Sequence, residues 1–270
     1  MNQPTPPAHR HPATRFSSAA ATYDRHAGLH RTVALELMRL MDGAPSPRRI
    51  LDGGCGTGVL TCELAGRFPE ACIDALDYSD EMLAVARGKL PPQERIRWIA
   101  ADLRTYDPGI RYDWIATSSA LQWATPLDKT LAHLAGLLAP GGRLFMAVMT
   151  RGTLDELHRL RMELTPDNVP PRRLPESADL VKATRHGGLS LEHAHGTAYA
   201  VPYDDAAQLL RSLHEQGVTG GSLSRGPRPL SRGDLDRLIA CYQQRHRDPD
   251  GRVTATYEVG FFVALKEPAS

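Results

Sequence analysis

Residues 50–58 read Ile-Leu-Asp-Gly-Gly-Cys-Gly-Thr-Gly, an apolar run that passes directly into a cluster of four glycines. An apolar strand that stops at glycines and gives way to a helical pattern describes the first βα turn of a parallel sheet, where missing Cβ atoms let the backbone approach a ligand. The pattern then repeats. Periodicity predicts strands over 49–52, 71–77, 96–100, 113–118 and 143–149, with helices over 58–67, 80–89 and 127–138 between them. Such alternation predicts an α/β, Rossmann-like, mostly parallel sheet.

The loop excludes two common phosphate binders. A dinucleotide fingerprint needs a small residue at its sixth place, which counted from Gly54 is Val59, and a P-loop needs a Gly-Lys-Ser/Thr that is absent here. Nineteen residues beyond Gly58, at the end of the second strand, stands Asp77, placed to accept hydrogen bonds from a ribose. The third strand ends in Ala101-Asp102-Leu103, a second carboxylate beside an apolar residue. Ligands of an open parallel sheet sit beyond the carboxyl ends of its strands, so the glycine loop, Asp77 and Asp102 are expected to line one crevice.

Around this core, residues 1–14 are expected to be a flexible N-terminus and 15–47 a helical lead-in that covers the crevice. The core itself is expected over 48–150, and 151–187, broken by prolines between Pro166 and Pro175, as an inserted helical cap. Residues 188–270 complete the sheet, with a strand near 191–201, helices over 204–215 and 233–245, and a last strand over 253–265. The fourth strand runs into Ser118-Ser119-Ala120-Leu121-Gln122-Trp123, which offers an amide and a flat indole wall for a second ligand.

Composition narrows the partners. A net charge of +1 gives no bulk reason to expect nucleic-acid binding. Cys55, Cys62, Cys72 and Cys241 form no CxxC pair, so neither zinc nor a disulfide framework is expected. No apolar run reaches 18 residues and no signal peptide is read, so the expectation is a cytoplasmic protein without a membrane span. Residues 217–247 carry six Arg against two Asp, which suits an acidic partner.

Over roughly residues 49–149 these motifs resemble the class I S-adenosylmethionine-dependent methyltransferases. The resemblance implies that cofactor, with its methionine part over Gly54, Gly56 and Gly58, its ribose at Asp77 and its adenine at Asp102 and Leu103 beside Met82. It also assigns Asp52, Tyr78 and Ser118 to the cofactor site.

Further segments sharpen the likeness. Ala120-Leu121-Gln122-Trp123, the stretch from Phe16 to Ala27 with Tyr23, Asp24 and His26, Gly152 to Leu157, and Thr256 to Val259 resemble the malonyl-carrier-protein O-methyltransferases of biotin (pimeloyl) synthesis. That resemblance implies methylation of the free carboxylate of malonyl-acyl carrier protein, or of malonyl-CoA. Gln122, Trp123, Tyr23 and His26 are then the expected catalytic residues, and Arg159, Arg172 and Arg173 the expected contacts to malonyl group or carrier. The alternative reading is a small-molecule carboxyl methyltransferase such as a trans-aconitate methyltransferase, which shares an LQW-like element. In either case the acceptor carboxylate is already ionised at neutral pH and needs no general base.

Overall fold

The computed structural model describes residues 17, 20, 23, 24, 28–170, 174–218 and 226–268. Its elements in chain order are α1 (Gly28–Arg39), β1 (Arg49–Gly53), α2 (Val59–Arg67), β2 (Cys72–Asp77), α3 (Asp80–Arg87), β3 (Ile96–Ala100) and β4 (Tyr112–Ser118). They continue as a single-turn 3₁₀ helix (Leu121–Trp123), α4 (Leu127–Leu137), β5 (Leu138–Met149), α5 (Asp155–Leu164), α6 (Ser177–His186), β6 (Ser190–Tyr203), α7 (Ala206–Glu215), α8 (Arg232–His246) and β7 (Val253–Leu265). The seven strands form one sheet in the order β3-β2-β1-β4-β5-β7-β6, with β7 antiparallel to both its neighbours and the other pairings parallel. The strand order reverses at β1 and β4, so their carboxyl ends open the crevice that such a sheet offers a ligand.

Alternation along the strands divides the core between two faces. Trp114, Phe145 and Phe261 point to one side, where α1, α2, α7 and α8 bury Val33, Leu37, Leu64, Leu209 and Tyr242. Ile115, Leu144 and Phe262 point to the other, against Leu131, Leu134 and Leu180 of α4 and α6. The segment expected as one cap over 151–187 is therefore divided. Its first helix, α5, lies over the crevice side, whereas α6 returns to the opposite face because Leu180 and Ala183 need the apolar surface of α4. The tight return is set by Gly187, where a Cβ would lie 3.2 Å from the backbone nitrogen of Ala132.

A polar clamp fastens the β2–β3 side. Asp74, buried inside the sheet layer, takes a bidentate pair from Arg97 at 2.6 and 2.5 Å and the Tyr112 hydroxyl at 2.6 Å. Asp74→Ala strands the tyrosine hydroxyl and leaves the guanidinium without its anion. Stability should fall by about 2–3 kcal/mol, a value below that of a fully buried pair because Arg97 is half exposed. Urea unfolding checks this, and an unchanged midpoint would contradict it.

Candidate active site

The glycine loop is locked from below. Leu76 O accepts the N–H groups of Gly54 and Cys55 at 2.7 and 2.9 Å, and Gly58 N donates to Cys55 O at 2.8 Å. Gly54, Gly56 and Gly58 all have positive φ. At Gly54 a Cβ would fall 2.4 Å from the Ala120 Cβ, so the loop passes against the chain that leaves β4 with no room between them.

Two acids stand at the ends of β1 and β2 in this cleft. Asp52 is buried, its Oδ2 accepts the Thr61 hydroxyl at 2.6 Å, and its Oδ1 has no hydrogen-bond partner. Burial pushes its carboxyl up to about 7, partly countered by Thr61 and reinforced by the charge of Asp77. Asp77 holds the loop, accepting Gly56 N at 2.8 Å and Ser79 N at 2.9 Å, and burial raises its carboxyl too. An orphaned buried carboxylate oxygen beside a second acid is a site for a cationic donor such as an ammonium group.

Tyr78, Met82, Leu103 and Ser118 also line the cleft. Asp102 lines it as well, yet its carboxylate is already engaged: Arg104 Nε and Nη2 donate to it, at 2.9 and 2.5 Å. A carboxylate acceptor for an adenine amine was expected there; Asp102 enters the site as half of an ion pair with Arg104, two residues away.

The lead-in reaches this cleft through Asp24, which accepts the Thr57 hydroxyl at 2.8 Å and pairs with Lys89 at 2.7 Å. Tyr23 then lines the crevice, its hydroxyl 3.2 Å from His30 Nε2. Burial, followed by the charges of Asp77 and Asp24, pushes the Tyr23 phenol well above its ordinary value, and burial lowers His30 to about 4. Both are neutral near pH 7. His26 lies outside the described residues; among the described residues the histidine that lines the crevice is His30.

A second cavity, of about 920 Å³, opens between α5, α7, α8 and the 3₁₀ turn. Tyr23, His30, Ser119 and Trp123 line both spaces, so the two meet at these four residues. Ser119 holds a left-handed φ of 56°, a conformation that costs a non-glycine residue energy and is typical of functional turns. The Gln122 side chain supports it, donating from Nε2 to Ser119 O at 2.7 Å while also lining the large cavity.

The arginines sort by helical phase. Leu154, Leu157, His158 and Arg161 form the inward stripe of α5 and its N-cap. Arg159, on the other side of the helix, is exposed, paired with Asp155 at 2.5 Å and outside the cavity lining. Arg172 and Arg173 lie outside the described residues. Arg161, His30 and Ser119 were not singled out in the sequence; the 154-157-158-161 spacing was the signal for the first, whereas nothing local marked the other two.

Among the described residues no cluster suited to a metal is present, and no helix is long and apolar enough to cross a membrane. All four cysteines are free thiols.

Residues 50–142 match a family model described as a methyltransferase domain. Among curated proteins, the chain is 33% identical over 246 residues to a malonyl-[acyl-carrier protein] O-methyltransferase of Halorhodospira halophila, covering 90% of this chain and 83% of that one. It is 31% identical over 264 residues to one so named from Laribacter hongkongensis, covering 94% and 88%. Among solved structures, the YcgJ protein of Bacillus subtilis superposes with a TM-score of 0.61 at 16% identity, over 87% of this chain and 99% of that one. The N-methyltransferase NodS of Bradyrhizobium japonicum, solved with S-adenosylhomocysteine, does so at 0.56 and 13%, over 93% and 98%. At those identities the two structures speak to the fold alone.

Proposed function

The chain belongs to the malonyl-[acyl-carrier protein] O-methyltransferase family, and we propose that it transfers a methyl group from S-adenosylmethionine to the free carboxylate of a malonyl group on acyl carrier protein. The observation that carries this is the meeting of the cofactor cleft and the large cavity at Tyr23, His30, Ser119 and Trp123. When bound, the cofactor supplies an electrophilic methyl group on a sulfonium.

Its ammonium group fits the orphaned oxygen of Asp52, its ribose fits Asp77, and its adenine fits the side of the cleft formed by Tyr78, Met82, Leu103 and the Asp102–Arg104 pair. Gly54, Gly56 and Gly58 let the loop approach, and Ser118 closes the floor. Tyr23, His30 and Ala34, with Asp24 bound to Thr57, cover the cleft and exclude water.

On the acceptor side the demands are modest. Positioning an already ionised carboxylate against the methyl group supplies roughly 7–11 kcal/mol by effective-molarity arguments. Trp123 gives the wall and Gln122 holds the Ser119 turn, with a second amide hydrogen left for the acceptor. Tyr23 and His30 add a neutral hydrogen-bonded pair that takes no proton in the reaction. With His30 at about 4 and Tyr23 raised, neither titrates between pH 6 and 8.5, so kcat should be flat over that range. A limb in kcat with an apparent pKa near 6.5 would contradict this.

The cavity's size and mostly apolar lining suit an acyl thioester and its pantetheine arm better than a small free tricarboxylate. Arg211 and Arg228, exposed where the cavity opens, are placed to meet an acidic carrier. Malonyl-CoA presents the same arm and is read as a weaker substrate. The test is transfer of labelled methyl to malonyl carrier protein, malonyl-CoA and trans-aconitate in parallel. Base-labile label favouring the carrier protein supports the reading; label on trans-aconitate alone overturns it.

A further inference from the structure

The acceptor cavity must hold an anion among apolar walls that include Leu154, Leu157, Met162, Leu210 and Leu238. An uncompensated carboxylate there would be very unfavourable, so a cation inside the cavity is required. Among the described residues four arginines line it. Arg151 pairs with Glu176 and is exposed, Arg228 pairs with Asp234 and is exposed, and Arg211 is exposed at the opening. Arg161 is the one that is not exposed, on the inward stripe of α5.

Its guanidinium is also held in place. Nη2 donates to Asn168 O at 3.3 Å, and Asn168, fully buried, is fixed by its N–H to Thr165 O at 3.0 Å and by Arg228 N donating to its Oδ1 at 3.1 Å. Gly226 lies so close that a Cβ would be 2.3 Å from Asn168 O, so the support has no slack. The planar guanidinium fork matches both oxygens of a carboxylate in geometry and charge.

We propose that Arg161 is the carboxylate anchor of the acceptor cavity, the residue that makes it select acyl groups ending in a free acid over neutral ones. This rests on the carboxyl-methyltransferase reading above. Burial lowers the Arg161 pKa, a desolvation that a bound anion offsets. Methylation removes the anion, so the same pair that admits the substrate is lost in the ester and the product leaves. The nucleophile's charge also falls as the new bond forms, so the pair stabilises the ground state at least as much as the transition state, and its loss should raise KM more than it lowers kcat.

The experiment measures binding of malonyl carrier protein and of its methyl ester to the protein saturated with S-adenosylhomocysteine, for the wild type, R161Q and R161K. In R161Q we expect affinity for the acid to fall at least 30-fold, affinity for the ester to hold within threefold, and S-adenosylhomocysteine affinity to be unchanged. R161K, which keeps a cation, should retain part of the preference for the acid, and it serves as the informative variant if R161Q does not fold. Turnover should show KM for malonyl carrier protein rising in parallel, with kcat within about fivefold. Equal weakening of acid and ester, or an acid preference that survives in R161Q, overturns the proposal. Absence of methyl transfer by the wild type would instead overturn the functional reading, while the acid–ester comparison would still judge Arg161.

Discussion

Gly54→Ala should lower methyl transfer at least a thousandfold while costing the fold only about 1–3 kcal/mol. Two effects add at this position. The φ of +76° is strained for alanine, and the new Cβ would sit 2.4 Å from the Ala120 Cβ, pushing the glycine loop away from the chain leaving β4. Ala120 follows Ser119 and precedes the Gln122–Trp123 turn, so one methyl group displaces the cofactor loop and the acceptor wall together. Gly109→Ala is the control. Its φ is +69°, equally strained, but nothing lies within 4 Å of its Cβ position. It should show a smaller shift in thermal midpoint with activity retained. Equal activity in the two variants would mean that the contact between the loop and Ala120 does not matter to the reaction.

Asp52→Asn should weaken S-adenosylmethionine binding roughly a hundredfold to a thousandfold, the usual result of removing one partner of a buried charge pair. It should also make the ligand-free protein more stable at pH 8. Burial raises the Asp52 carboxyl from 3.8 in the unfolded chain to about 7 in the folded one, so the folded state holds this proton more tightly. The resulting stability is complete below pH 3.8 and is lost as pH rises through about 7, by about 4 kcal/mol in all. Asparagine abolishes that loss but buries an amide, leaving a net gain of about 2 kcal/mol at pH 8.

Cofactor binding must restore the anion in the native protein, so wild-type affinity should fall as pH drops below 7 and binding at pH 6 should release close to one proton. Calorimetry in two buffers of different ionisation enthalpy reads the proton directly. A pH-independent affinity without proton release would remove Asp52 from the ammonium site.

The sharing of one cleft by Asp52, Gly54 and Asp77 was legible because its parts are local in sequence. A strand, the glycines at its end and the acid at the end of the next strand are set by the βα repeat, so Asp52, Gly54 and Asp77 could be placed with no long-range contact known. The same logic stopped at Asp102, because a strand-end position does not say that Arg104 folds back onto it. The large cavity was legible only in Gln122 and Trp123. It is assembled from α5, α7 and α8, which lie up to about ninety residues apart, and no spacing reveals that they share one space.

Within α5 helical phase separates Arg159 from Arg161, two residues being enough to turn a side chain from the cavity to solvent. The separation of α5 from α6 was hidden for a related reason. Pro-rich sequence marks the break before α6 but not the face to which the chain returns, which the apolar surface of α4 decides. His30 shows the remaining limit: one of two histidines in the lead-in over 15–47, it is marked by the Tyr23 hydroxyl beside it.

The most direct test of the account is the affinity of a bisubstrate analogue in which the adenosyl cofactor's sulfur position is joined through a short linker to a malonyl thioester. If the cofactor cleft and the acceptor cavity meet at Tyr23, His30, Ser119 and Trp123, the analogue should bind at least a hundredfold more tightly than S-adenosylhomocysteine, and Ser119→Val should weaken the analogue more than S-adenosylhomocysteine. An analogue that binds no better than S-adenosylhomocysteine would show that the two spaces do not form one path, and the transfer site assigned here would be wrong.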